Sequence, residues 1–278
     1  MASLDKTINT EISASKNKGG LKMKKLDILT LTATVFFLLL IYSACKGPKG
    51  STGATGPQGP GGASGTTYQI QFQNDSFPNT NYAGSYDTYI VDSAPNSSFG
   101  LCELLYVGGG YPAAGSRARS LIYFDIQDLT PNNVVVTGAY LTLYNAGGSE
   151  FNTITAYAVS SNWAEGPGNC GSGQLITSPP FECTWKDGIV GPWTNPGGDF
   201  SSAPASNTVF VNLDISFESY TFKLNNSLIQ SWLSYPNSNN GLLLESSDET
   251  SVDSTTFHSS KAQNSLDFPK LTIYYQLP

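Results

Sequence analysis

Val134-Val-Val-Thr-Gly-Ala-Tyr-Leu-Thr-Leu-Tyr144 alternates small or aliphatic side chains with polar or aromatic ones. Successive side chains of a strand point to opposite faces, so Ala139, Leu141 and Leu143 go one way and Tyr140, Thr142 and Tyr144 the other. A strand with one buried face and one open face follows. The same period of two, bounded by Gly, Asn, Pro and Asp, recurs at 68–73, 89–92, 101–107, 120–125, 153–159, 209–214, 220–223, 241–246, 255–259 and 271–276. So many short strands predict an all-β fold, a sandwich. One short helix is predicted over 225–235, where Leu224, Leu228, Ile229 and Trp232 share a side before Pro236 ends the run. Its apolar side is expected to plug an open end of the sandwich.

Upstream of this domain, at 66–278, the composition changes twice. About 15 almost entirely apolar residues, 28–42, follow Lys24 and Lys25 and run into Ser43-Ala44-Cys45. They are fewer than the roughly 20 residues a bilayer-spanning helix needs. The run reads instead as a secretory signal over 23–44, with small residues beside the cut and Cys45 as the lipid-modified end. Ser43, Ala44 and Cys45 resemble the bacterial lipobox, with Tyr42 where an aliphatic residue is usual. Residues 1–22 fit no targeting design, and Met23-Lys-Lys reads as the natural start. The expected location is the bacterial cell envelope, on the outer membrane or cell surface, with the membrane reached through the lipid.

From Gly47, six consecutive triplets begin with glycine, GPK GST GAT GPQ GPG GAS. The period resembles collagen-like sequence, in which only glycine fits the crowded axis. Residues 45–65 are read as a solvated spacer, with homotrimer formation as the second reading.

From Thr66 onward eighteen Asp and Glu face six Lys and Arg, a net charge near −12. Phosphate binding requires clustered positive charge, so nucleic acid is not an expected partner. An acidic surface rich in Asn, Ser, Gly and Tyr suits sugars or divalent cations. A structural calcium on Asp87 and Asp199 is one expectation, with turn capping as the alternative for either residue. Cys170 and Cys183 flank a Gly, Pro and Ser-rich loop and read as a disulfide, leaving Cys102 as a buried thiol. The spacing leaves a Cys102 pairing with either of the others open.

Asp87-Thr-Tyr-Ile90, Arg119-Ser-Leu-Ile-Tyr-Phe-Asp125, Ala139-Tyr-Leu-Thr-Leu-Tyr144, Trp163-Ala-Glu-Gly166, Trp185, Pro196-Gly-Gly-Asp-Phe200, Ile229-Gln-Ser-Trp232, Asn240-Gly-Leu-Leu-Leu244, Phe257-His-Ser-Ser260 and Pro269-Lys-Leu-Thr-Ile-Tyr-Tyr275 occur in that order. Together they resemble the DNRLRE domains, related to disaggregatase-associated modules and to a carbohydrate-binding module family found beside alginate lyases. The resemblance spans Tyr86 to Tyr275 and implies a non-catalytic jelly-roll module on cell-surface proteins. The insertion between Glu165 and Trp185 departs from it.

Sugar binding needs aromatic faces beside hydrogen-bonding groups. Trp185 and Trp193, in the loop-rich insertion, are the candidates, with packing as the competing reading. Trp163 and Trp232 are assigned to the core. Arg117 and Arg119 concentrate basic charge suited to an anionic sugar, although Arg119 also suits an internal ion pair. Little points to an enzyme: there is one histidine, His258, and no nucleophile elbow, paired-His metal motif or phosphate loop. Glu165 and Asp199 could in principle act as a glycosidase pair, but nothing in the sequence fixes their separation, and Glu165 is better read as ordering its loop. The expected activity is a carbohydrate-binding or adhesion module directed at a polysaccharide. The rivals are a self-associating structural protein and, more remotely, a polysaccharide lyase or hydrolase.

Overall fold

The computed structural model describes residues 65–278 apart from 112, 128–132, 149–150, 171–172, 176–181 and 213–217. The expected extension, signal, acylated Cys45 and glycine triplets therefore lie outside the described residues. In chain order the strands are β1 (Thr67–Phe72), β2 (Ser85–Val91), β3 (Ser97–Ser98), β4 (Leu104–Gly109), β5 (Arg117–Phe124), β6 (Val135–Gly148), β7 (Phe151–Val159), β8 (Gln174–Leu175), β9 (Asp187–Gly188), β10 (Gly191–Pro192), β11 (Phe200–Pro204), β12 (Val209–Asn212), β13 (Ser219–Lys223), β14 (Leu242–Ser246), β15 (Ser254–His258) and β16 (Lys270–Gln276). Helix α1 (Asn226–Ser234) lies between β13 and β14. Every expected strand is present, and all pairings are antiparallel.

Two faces close on one core. The first is β1, β16, β6 and β13 in that order. The second is β2, β5, β14 and β7, with β11 and β12 both against β7. β6 is long enough to leave the first face and pair with β15, which pairs with β4, whose end meets β5. Ala139, Leu141 and Leu143 of β6 are fully buried, as their alternation predicts, with Phe222, Leu271 and Ile273 beside them. Ile122, Ile154, Leu242 and Leu244 meet them from the second face in a single apolar cluster. At about 25 cal/mol per Å² of apolar surface removed from water, this cluster is the main favourable contribution to folding.

α1 seals one end of this core by burying Ile229 and Trp232, the side its spacing predicts. The Gln230 amide fixes it to β6: Oε1 accepts from Val136 N at 2.9 Å and Nε2 donates to the Val134 carbonyl at 3.1 Å.

The second face is buried on both sides. A second cluster packs Trp163, Cys183, Trp185 and Trp193 over Ile90, Leu121, Val159 and Leu243. This explains why Leu242-Leu-Leu244 does not alternate: a strand covered on both faces reads as an unbroken apolar run.

The disulfide joins Cys102 to Cys170, not Cys170 to Cys183. Leu101 N donates to the Gly168 carbonyl at 2.8 Å, which brings the two loops together, and the bonded Cα atoms lie 4.6 Å apart. Cys183 N instead bonds to the Ala164 carbonyl, seating its side chain among the tryptophans as a buried free thiol. Burial pushes that thiol's pKa far up, so it stays protonated. The role expected of Cys102, a small buried hydrophobe, belongs to Cys183.

Candidate functional site

The outer side of the first face is not covered among the described residues. Alternation sends Gln71, Tyr140, Thr142, Thr221, Lys270, Thr272 and Tyr274 to it, and they line an open groove of about 380 Å³. Register sets their order: Gln71 lies opposite Thr272, which lies opposite Tyr140, while Lys270 and Thr221 flank Thr142 on either side. The Tyr140 and Tyr274 rings meet edge to face, with centroids 5.8 Å apart and planes at 88°. Gly138, opposite Tyr274, makes this possible. A Cβ there would stand 3.3 Å from the Tyr140 ring and 3.4 Å from the Tyr274 ring.

Around the rings are donors and acceptors with capacity to spare. Gln71 Nε2 donates to Thr272 Oγ1 at 3.2 Å, and the Thr142 and Thr221 hydroxyls share one bond at 3.3 Å. Among the described residues, no carboxylate lies within ion-pair distance of Lys270. Partly exposed aromatic surface beside hydroxyls, an amide and an ammonium is chemistry suited to a sugar ring. None of these residues is among the site residues expected from the sequence. The outward Tyr140, Thr142 and Tyr144 stripe was the available signal.

The predicted aromatic site is packing. Trp185 and Trp193 are each 5% exposed, and Trp193 Nε1 donates to the Thr184 carbonyl at 2.9 Å. They are buried because they roof Leu121 and Leu243. Trp163 is buried as expected and donates Nε1 to the Asn240 carbonyl at 2.8 Å. Arg119 is committed internally, with Nη2 2.6 Å from a Glu245 oxygen and Nε 2.7 Å from a Glu249 oxygen. Its Nη1 reaches the Gly197 carbonyl at 3.0 Å, and its guanidinium lies 5.3 Å from the centre of the Trp185 ring. Gly197, at φ +99°, is needed there, since a Cβ would sit 2.9 Å from both Arg119 and Trp185. The internal ion pair was the alternative reading for Arg119; its partners are Glu245 and Glu249. Arg117 is exposed and pairs with Asp92 at 2.9 Å.

Asp87 and Asp199, the residues expected to hold calcium, are each engaged by their own hydrogen bonds. Asp199 caps a turn, accepting from Thr194 N, Asn195 N and Ser161 Oγ, and these bonds hold its carboxyl below the usual range. Asp87 is buried on β2, where Oδ2 accepts from Ser260 N at 2.8 Å. Burial raises its pKa to about 7, with Lys261 pulling the other way. No three His, Cys, Asp or Glu side chains gather as a metal site among the described residues.

Glu165 orders its loop: Oε1 accepts Asp87 N at 2.6 Å and Lys261 Nζ at 2.7 Å. A second open pocket of about 440 Å³ lies beside this bridge, between Asn74, Ser85, Tyr86, Trp163, Glu165 and Lys261.

No protein-family model and no curated protein matches this chain.

Proposed function

We propose that this chain is a non-catalytic glycan-binding module of the bacterial surface, lipid-anchored at Cys45 and lifted from the membrane by its glycine-repeat spacer. The groove over Tyr140 and Tyr274 carries the reading, because it sets apolar ring surface among amide, hydroxyl and ammonium groups in one open groove. The ordered motifs resembling DNRLRE domains support the same class of activity, and the domain's acidity argues against polyanionic nucleic acid.

Binding of the full chain to a glycan array tests it. A ligand that binds the native chain should lose at least about tenfold in affinity with Tyr274→Ala, the equivalent of about 1.4 kcal/mol of lost stacking. Unchanged binding in both Tyr140→Ala and Tyr274→Ala, with folding retained, refutes the site. Release of reducing or unsaturated sugar ends would refute the non-catalytic assignment.

A further inference from the structure

We propose that β1 is a pairing edge for a second copy of this chain, joined antiparallel about Ile70. β1 ends its sheet, and among the described residues its only strand neighbour is β16. Its register runs unbroken from Thr67 to Phe72, and Thr67, Tyr68 and Gln69 are exposed. Open edges invite pairing unless blocked by charge, proline, irregularity or cover. Three other edges, β2, β11 and β13, are blocked in these ways. Asn74 holds both Ser85 N and Ser85 O on β2, and Glu165 takes Asp87 N. β11 has a register shift and ends in Pro204, and β13 carries Lys223. β1 has no charge, no proline and no bulge.

The sequence across this edge is nearly its own mirror over Tyr68-Gln-Ile-Gln-Phe72, beyond which the Gln73 backbone is taken by its own bridge to Phe77. A two-fold contact makes every pair twice, i to j and j to i, so it favours a strand that reads alike in both directions. Antiparallel pairing centred on Ile70 sets Gln69 against the partner's Gln71 and Tyr68 against the partner's Phe72. The glutamines fall on the outer side, where Gln71 already lines the groove. Tyr68, Ile70 and Phe72 fall on the core side. There Tyr68 stacks on Tyr275 at 5.6 Å while 41% exposed, a ring surface that a partner strand would cover. The four strands β13, β6, β16 and β1 would become eight, with both grooves on one continuous surface. The pairing stands whether or not the groove binds sugar.

Sedimentation of the full chain across the micromolar range should give twice the monomer mass. The Gln69→Lys/Gln71→Lys variant should be monomeric, since each lysine then opposes a lysine, and mixing it with Gln69→Glu/Gln71→Glu should restore a heterodimer. Register has its own readout: Gln69→Cys chains mixed with Gln71→Cys chains should cross-link above wild type, and neither should do so alone. Circular dichroism separates failed pairing from failed folding. A monomeric or trimeric native chain, a lysine variant that stays dimeric, or cross-linking by Gln69→Cys alone overturns the proposal.

Discussion

The two outer faces of the sandwich carry similar aromatic chemistry and differ in how far it is already spent. Over β5 and β14, Trp185 and Trp193 are roofed into a cluster with Leu121 and Leu243, and Arg119 is held by two carboxylates and a carbonyl. Over β6 and β16, Tyr140 and Tyr274 remain half-exposed, and among the described residues Lys270 has no ion-pair partner. Residue type alone therefore does not separate the two faces; accessible ring surface beside polar groups does.

The contrast breaks if Trp185→Ala is tolerated. Emptying that site should destabilise the domain by about 3–5 kcal/mol, the usual cost of deleting a buried large aromatic side chain, read as a large fall in melting temperature. Arg119→Met should come next, at about 3 kcal/mol, because it strands Glu245 and Glu249 beside each other without their shared cation. A wild-type melt for either variant would place the roof outside the folded core.

Asp87 sharpens the comparison through pH. Its carboxyl titrates near 3.8 when unfolded and near 7 when folded, so between those values the folded protein holds the extra proton. Stability from this group is therefore full below about pH 4 and is lost as pH rises toward 7. Asp87→Asn, which keeps an oxygen for Ser260 N, should flatten that decline and raise the melting temperature at pH 7 relative to wild type. A melt whose pH dependence is unchanged in the variant refutes this assignment. The smallest stability effect belongs to the groove: Tyr140→Ala or Tyr274→Ala should shift stability by less than about 1 kcal/mol while abolishing most glycan binding. A large thermal shift there would make the tyrosines structural, and the two faces would then be alike.

Much of the fold is legible along the chain because period two is a local property. Val134 to Tyr144 reveals its buried face unaided, as do the spacing of Leu228, Ile229 and Trp232 and the stop at Pro236. The site was less legible. Tryptophans in a Gly and Pro-rich insertion look exposed in one dimension, and only the unbroken Leu242-Leu-Leu244 hints that something must lie over that strand. The tyrosine groove draws on β1, β6, β13 and β16, from Gln71 to Tyr274 along the chain, so no local window contains it.

By itself, the sequence determined the class of fold: alternation forces strands with one buried side, and so many short strands must pack as a sandwich. Tertiary structure alone decided which outer side the insertion covers, which cysteine Cys170 meets, and which aromatic rings stay in water. Those outcomes depend on contacts between distant segments, where a strand's second face is buried or left open according to what the rest of the chain brings to it.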